Sequence, residues 1–221
     1  MKKGKLIVIE GACDGIGKTT QYEALYKKLS EETEVIRHHF PSYNTPQGAF
    51  VTSYLAGEYG DKEKLSQYFV HNLYAIDRAV TWKTLLEKEY NEGKTILLDR
   101  YTTSSIIYQS TLIDEKDRYD FIDHVVDYEY NKLGIGKPDL IIFLTAPFDL
   151  VTKMHDGRKD NDGVKNDIHE RDLPYMKKVY DNANNIAKKY KWNIIECASS
   201  GKLRTPEDIS DEIYSAVKNI K

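Results

Sequence analysis

The chain has 221 residues, 30% of them charged, with a formal net charge of −3 at pH 7. That length suits one domain with a substantial core, and the charge balance offers no overall basic field for nucleic acid or an anionic membrane, so any affinity for phosphate must be local. Cys13 and Cys197 lie far apart in no metal-like spacing, which fits a reducing, cytoplasmic setting, and no apolar stretch approaches membrane-spanning length.

In chain order, Lys5 to Glu10 reads as a strand; its four-residue apolar run, after Met1-Lys2-Lys3, is too short for a signal peptide. The strand empties into Gly11-Ala12-Cys13-Asp14-Gly15-Ile16-Gly17-Lys18-Thr19-Thr20. A strand, a glycine-rich loop ending in Gly-Lys-Thr and a following helix form the layout of a phosphate-binding loop. Backbone N–H groups and the positive helix end surround polyphosphate oxygens, Lys18 adds a mobile charge and Thr19 offers a hydroxyl to Mg²⁺. The usual spacing wants glycine where Ala12 stands; Gly11 is one position earlier, so either Ala12 is tolerated or the loop carries an extra residue.

Tyr22, Leu25, Tyr26 and Leu29 then fall at helical spacing. Val35 to Phe40 reads as a second strand, broken by Pro41. Leu65, Phe69, Leu73 and Ile76 predict a long helix running through Arg78 towards Leu86. Thr95 to Asp99 is a short buried strand, apolar until its final acid. Phe121, Val125, Val126 and Tyr128 mark another helix, closed by Gly134-Ile135-Gly136. Leu140 to Thr145 reads as an interior parallel strand, and Asn193 to Cys197 as the last. At the C-terminal helix Thr205 is the cap, Pro206 the first helical residue and Ile209, Ile213 and Val217 the buried stripe. Residues 155–171 carry two glycines, many charges and almost no apolar side chains; that length and composition suit a lid. The alternation predicts an α/β chain with a five-stranded parallel sheet between helical layers, a single domain over residues 1–221.

Asp99-Arg100-Tyr101 ends a strand, where open α/β sheets bind ligands. There Asp99 suits Mg²⁺ and Arg100 suits a second phosphate; a structural Asp–Arg pair is the plainer alternative. His38 and His39 face opposite ways on a strand and no cysteine or carboxylate cluster joins them, which argues against a metal site. His155 and His169 read as exposed, Trp82 and Trp192 as packing residues, and Cys13 as a thiol whose pKa the helix N-terminus would lower, although no step requires it.

Several of these segments resemble the thymidylate kinase family. Glu10-Gly11, Asp14 and Gly17-Lys18-Thr19 are similar to its E-G-x-D-x-x-G-K-[ST] loop. Asp99-Arg100-Tyr101, Ser104 and Tyr108-Gln109 are similar to its D-R-Y-x-x-S-x-x-x-Y-Q segment, the most specific match. Phe40-Pro41, Gly48 and Tyr54-Leu55 resemble its F-P…G…Y-L stretch. Asp77-Arg78 falls where the family has an arginine, usually preceded by asparagine, that holds the monophosphate. The resemblance runs from Lys5 to the C-terminal helix.

It implies a P-loop NTPase fold with a short lid and Mg²⁺-dependent transfer from ATP to a deoxynucleoside monophosphate, most simply dTMP. Asp14, Gly15, Ile16, Gly17, Lys18, Thr19 and Thr20 would bind ATP, with Thr19 and Asp99 at the metal. Arg78 and Arg100 would hold the acceptor phosphate, with Phe40 and Tyr43 beside it. Tyr74 would stack on thymine, Ser104, Tyr108 and Gln109 would line the base pocket, and Asp14 would reach the sugar 3′-hydroxyl. Asp14-Gly15-Ile16 holds no basic residue, so the catalytic cation would come from the lid: Arg158 first, with Lys159, Lys165 and Arg171 as the others. Ala198 to Arg204 is the expected adenine loop. The implied partners are small-molecule nucleotides and a second copy of the chain, not nucleic acid or membrane.

Two departures stand out. Two residues separate Gly11 from Asp14 where the family has one, which reads as an insertion where donor and acceptor sites meet. Tyr43 also replaces the arginine of the family's F-P-x-R stretch, giving a hydroxyl in place of a charge. These departures keep two other functions open: a deoxynucleoside kinase acting on a 5′-hydroxyl, with Asp14 or Asp99 as base, and a catalytically silent nucleotide-binding regulator.

Overall fold

The computed structural model of the chain describes residues 3–13, 15–61, 64–152 and 173–220. Strands β1 (Leu6–Gly11), β2 (Val35–His39), β3 (Thr95–Asp99), β4 (Leu140–Thr145) and β5 (Asn193–Glu196) form one parallel sheet in the order β2-β3-β1-β4-β5. β1 and β3 are buried along their whole length, as strands covered on both faces require. β1 pairs with β4 from Ile7↔Leu140 to Gly11↔Leu144, and β4 with β5 from Ile142↔Asn193 to Thr145↔Glu196.

By internal contacts the chain divides into two compact units. One comprises residues 7–35 and 139–221. Its helices include α1 (Lys18–Ser30) and, near the C-terminus, Leu173–Lys189 and Pro206–Lys218. α1 buries Tyr22, Leu25 and Leu29. The last helix begins as its sequence predicts: Thr205 Oγ1 accepts the Asp208 N–H at 3.1 Å, and Ile209, Ile213 and Val217 are buried. The expected adenine loop is a small antiparallel hairpin, Ala198–Ser199 against Lys202–Leu203.

The other unit comprises residues 1–6 and 36–138. It contains α2 (Ala49–Leu55), α3 (Gln67–Thr81), α4 (Glu87–Asn91), α5 (Thr102–Thr111) and α6 (Arg118–Val126). Ser66 Oγ caps α3 by accepting the Phe69 N–H at 3.2 Å. The spacing predicts a long helix running through Arg78 towards Leu86; the α-helix ends at Thr81 and a π-helical turn, Trp82–Leu86, continues it, while a second, Asp127–Lys132, follows α6. Each π turn admits an extra residue and rotates the faces that follow. Trp82 is buried against Gly136, where a β-carbon would come within 2.3 Å of the indole Cη2. Among the described residues no helix is long and apolar enough to cross a membrane.

Candidate active site

The phosphate loop begins where β1 ends. Gly11 still pairs with Leu144, and the Ala12 N–H continues the ladder to the Leu144 carbonyl at 2.9 Å. Gly11 is therefore the closing residue of a strand rather than a displaced turn glycine. Its missing side chain makes room: a β-carbon there would lie 2.7 Å from Ile16 Cγ2 and 3.2 Å from the Lys18 stem. The turn glycines are Gly15 and Gly17, at φ 89° and 93°, a left-handed conformation that costs glycine little.

Gly17 caps α1 and no acidic residue occupies the helix's first turn, so the positive end suits an anion. Lys18 is buried along its stem, with Nζ 3.4 Å from the Cys13 carbonyl. Thr19 and Thr20 are exposed, while Ile16 and Cys13 are buried. Glu10 is buried too, its Oε1 accepting the Gly11 N–H at 3.0 Å. Asp14, Arg158 and the 155–171 segment, with Lys159, Lys165 and Arg171, lie outside the described residues.

In the other unit, β2 and β3 deliver a second group of side chains. Asp99, the last residue of β3, is buried with Oδ2 3.0 Å from Nδ1 of His39, the last residue of β2. The Phe40 N–H donates to the Asp99 carbonyl at 3.0 Å, and the buried Phe40 ring packs on Tyr101. Arg100 adopts φ 64°, unusual for a residue with a side chain. Its Nη1 lies 3.3 Å from Tyr108 Oη and its guanidinium carbon 5.4 Å from that ring's centroid.

The loop after Phe40-Pro41 is pinned by Asp77, whose Oδ2 accepts the Ser42 N–H at 2.8 Å; Ser42 Oγ also meets His38 Nε2 at 2.8 Å. Gly48 fits because a β-carbon there would sit 2.1 Å from the Ser42 carbonyl oxygen. Tyr43 is 46% exposed. Tyr74 is half-buried, set edge-on against Tyr54 beside the cluster of Val51, Val70 and Leu73. On α5, Ser104 and Tyr108 are half-buried and Gln109 is buried.

Arg78 is placed differently from a free phosphate-binding cation. It is 2% exposed, and its Nε and Nη2 donate to Glu129 at 2.6 and 2.7 Å. Nη2 also donates to Ser105 Oγ at 2.7 Å. Burial favours the neutral acid at Glu129, but the Arg78 charge and the hydrogen bonds from His71 and Arg78 outweigh it and lower its pKa to about 2. Burial disfavours the Arg78 charge as well, and Glu129 reverses that, leaving the guanidinium more firmly protonated than usual.

His71 and Glu129 went unremarked in the sequence, and His39, weighed there only as a metal ligand, instead meets Asp99. Glu129 had a signal: it lies on the same helical phase as the buried Ile122 and Val125, an acid where an apolar residue is expected. Among the described residues no three His, Cys, Asp or Glu side chains gather as a metal cage.

A glycine loop with a lysine and a threonine at a helix start suits polyphosphate, and its place at a strand end of a five-stranded parallel sheet is that of a P-loop nucleotide-binding protein. The sequence profile described as "Thymidylate kinase" matches residues 9–209. The thymidylate kinase of Mycobacterium tuberculosis is 33% identical over 179 residues, covering 79% of this chain and 81% of that one. A probable thymidylate kinase of Methanocaldococcus jannaschii is 30% identical over 222 residues, covering 100% and 99%. The solved thymidylate kinase of Candida albicans superposes with a TM-score of 0.74 at 25% identity, covering 98% of this chain and 92% of that one. The chain belongs to the thymidylate kinase family. It is accordingly an ATP-dependent nucleotide kinase of the type that phosphorylates dTMP to dTDP.

Proposed function

We propose that the phosphate loop takes ATP as donor and that the strand-end residues of the other unit take dTMP as acceptor. Gly15, Ile16, Gly17, Lys18, Thr19 and Thr20 cradle the donor phosphates, and Asp14 is assigned the sugar 3′-hydroxyl. Arg100 holds the acceptor phosphate; Phe40, Tyr43, Tyr74, Ser104, Tyr108 and Gln109 surround the nucleoside, and Arg78 offers hydrogen bonds rather than free charge. The observation that carries the acceptor assignment is Arg100, a non-glycine residue held at φ 64° directly after Asp99. Backbone strain of that kind collects where a side chain must be aimed.

The chemistry asks little of a general base. The attacking oxygen belongs to a phosphate with a second pKa of about 6, so it is mostly ionised at neutral pH. The protein must align two anions and offset their repulsion, a task for Lys18, Arg100 and the lid cation Arg158. Mg²⁺ brought in with the nucleotide suits the donor types present: exposed Thr19 at the start of α1 would offer it a hydroxyl, and Asp99 in the other unit is the carboxylate candidate, both oxygen donors of the kind a hard cation takes beside phosphate and water. That ion would neutralise charge on the donor phosphates.

The whole chain is read as one catalytic domain acting in the cytoplasm as a homodimer. Phe69, Ile76 and Val80 support the dimer, exposed on one face of α3. Purified protein with Mg-ATP is to be offered dTMP, dUMP, dCMP, dGMP and thymidine while ADP release is followed. Turnover is expected to be fastest with dTMP. Turnover with thymidine alone would point to a 5′-hydroxyl kinase, and ATP binding without turnover to a silent regulator.

A further inference from the structure

Arg78 lies on α3, whereas Glu129 lies in the π turn after α6, and both are sealed from solvent. A carboxylate at that depth is tolerated only if its lone pairs are filled. Here they are. Oε1 accepts from Arg78 Nη2 at 2.7 Å and His71 Nε2 at 3.0 Å; Oε2 accepts from Arg78 Nε at 2.6 Å and Thr102 Oγ1 at 2.9 Å. Four donors meet the roughly four acceptor positions of a carboxylate.

The guanidinium is held just as closely. Nε and one Nη2 N–H are taken by Glu129, and the other Nη2 N–H by Ser105. Only Nη1 keeps N–H groups with no hydrogen bond among the described residues. His71 serves the carboxylate rather than the arginine. Its Nε2 faces Glu129, the buried Nδ1 has no hydrogen-bond partner among the described residues, and the ring packs against Phe121, His124 and Tyr128.

We propose that Glu129 is the positioning residue for Arg78: by clamping Nε and Nη2 it fixes the direction of the Nη1 edge and makes that edge an oriented pair of donors towards the acceptor nucleotide. This rests on the reading of Arg78 as an acceptor contact. The clamp removes rotational freedom that substrate binding would otherwise have to remove. A carboxylate that served only as a strut would affect stability and leave acceptor kinetics alone.

The test uses the full chain, with steady-state kinetics in both substrates and thermal unfolding, for Glu129→Gln, Thr102→Val, Arg78→Ala and the Glu129→Gln/Arg78→Ala double variant. Glu129→Gln is expected to raise KM for dTMP about tenfold or more, with KM for ATP within about twofold. Thr102→Val, which removes one of the four donors, should raise it by a smaller factor, and it decides the matter if Glu129→Gln fails to fold. The double variant should match Arg78→Ala within about twofold, because the two residues act as a unit. Additive effects, or an unchanged dTMP KM in a folded Glu129 or Thr102 variant while Arg78→Ala raises it, would overturn the proposal. An unchanged KM in Arg78→Ala itself would overturn the reading of Arg78 as well.

Discussion

His39 Nδ1 lies 3.0 Å from Asp99 Oδ2, where the neighbouring strands β2 and β3 end. The histidine is half-exposed and the carboxylate is not, so a surface side chain reaches a buried acid. Asp99→Asn is expected to lower kcat about 100-fold, the loss typical of a preorganised electrostatic group. His39→Ala should lower it only a few-fold and raise the Mg²⁺ concentration needed for half-maximal rate. Rate against Mg²⁺ concentration checks both; an unaltered Mg²⁺ curve in His39→Ala would show that Asp99 is oriented without it.

Arg100→Ala should cost about 10- to 100-fold in kcat/KM for dTMP, the range of one charge-assisted hydrogen bond of ~1.5–3 kcal/mol. ATP affinity, measured separately by titration calorimetry, should hardly move. Equal losses on the two substrates would mean that Arg100 supports the site as a whole.

Tyr43→Arg restores the charge that the family's F-P-x-R stretch carries. Tyr43 is 46% exposed, so the longer side chain is accommodated. KM for dTMP is expected to fall several-fold at low ionic strength, with the gain shrinking as salt screens it. A KM that rises instead would assign the Tyr43 hydroxyl a contact of its own.

Gly136→Ala is expected to destabilise the fold by about 1–3 kcal/mol. The new methyl would come within 2.3 Å of Trp82 Cη2, and the indole is buried. Urea unfolding measures the loss. A Trp82→Leu background, which vacates the space, should reduce the effect of the second change; additivity would place the strain elsewhere.

Stability should fall with acid in two stages. Burial holds the His71 pKa below 6.5, opposed by the hydrogen bond and charge of Glu129 and aided by Arg78 and His124. Glu129 is lowered from 4.5 to about 2 despite its burial. In both cases the unfolded chain takes up the proton first. Stability is therefore full above 6.5, declines below it through His71, and declines again between 4.5 and 2 through Glu129. His38, also lowered by burial, adds to the first stage. Thermal unfolding from about pH 7.5 to 5 should show a shallower slope in His71→Gln; equal slopes would remove His71 as a source.

The sheet was legible because its strands are continuous apolar runs: Thr95–Asp99 and Leu140–Thr145 begin and end where their residues predict. The final helix was legible because Thr205 and Pro206 mark its start unambiguously. The π turns were not, since an inserted residue leaves local composition unchanged while rotating everything after it. The role of Gly11 was not legible, because spacing alone cannot show that a glycine yields space to Ile16. Arg78 was recognised as important, but its charge balance depends on Glu129, 51 residues further along the chain.

The saturation of Glu129 also constrains inheritance. Removing Arg78 alone strands a buried carboxylate, and removing Glu129 alone strands a buried guanidinium; either single step passes through a destabilised intermediate. Substitutions at positions 78 and 129 are therefore coupled, and a change at residue 78 asks for a matching change in a second helical segment.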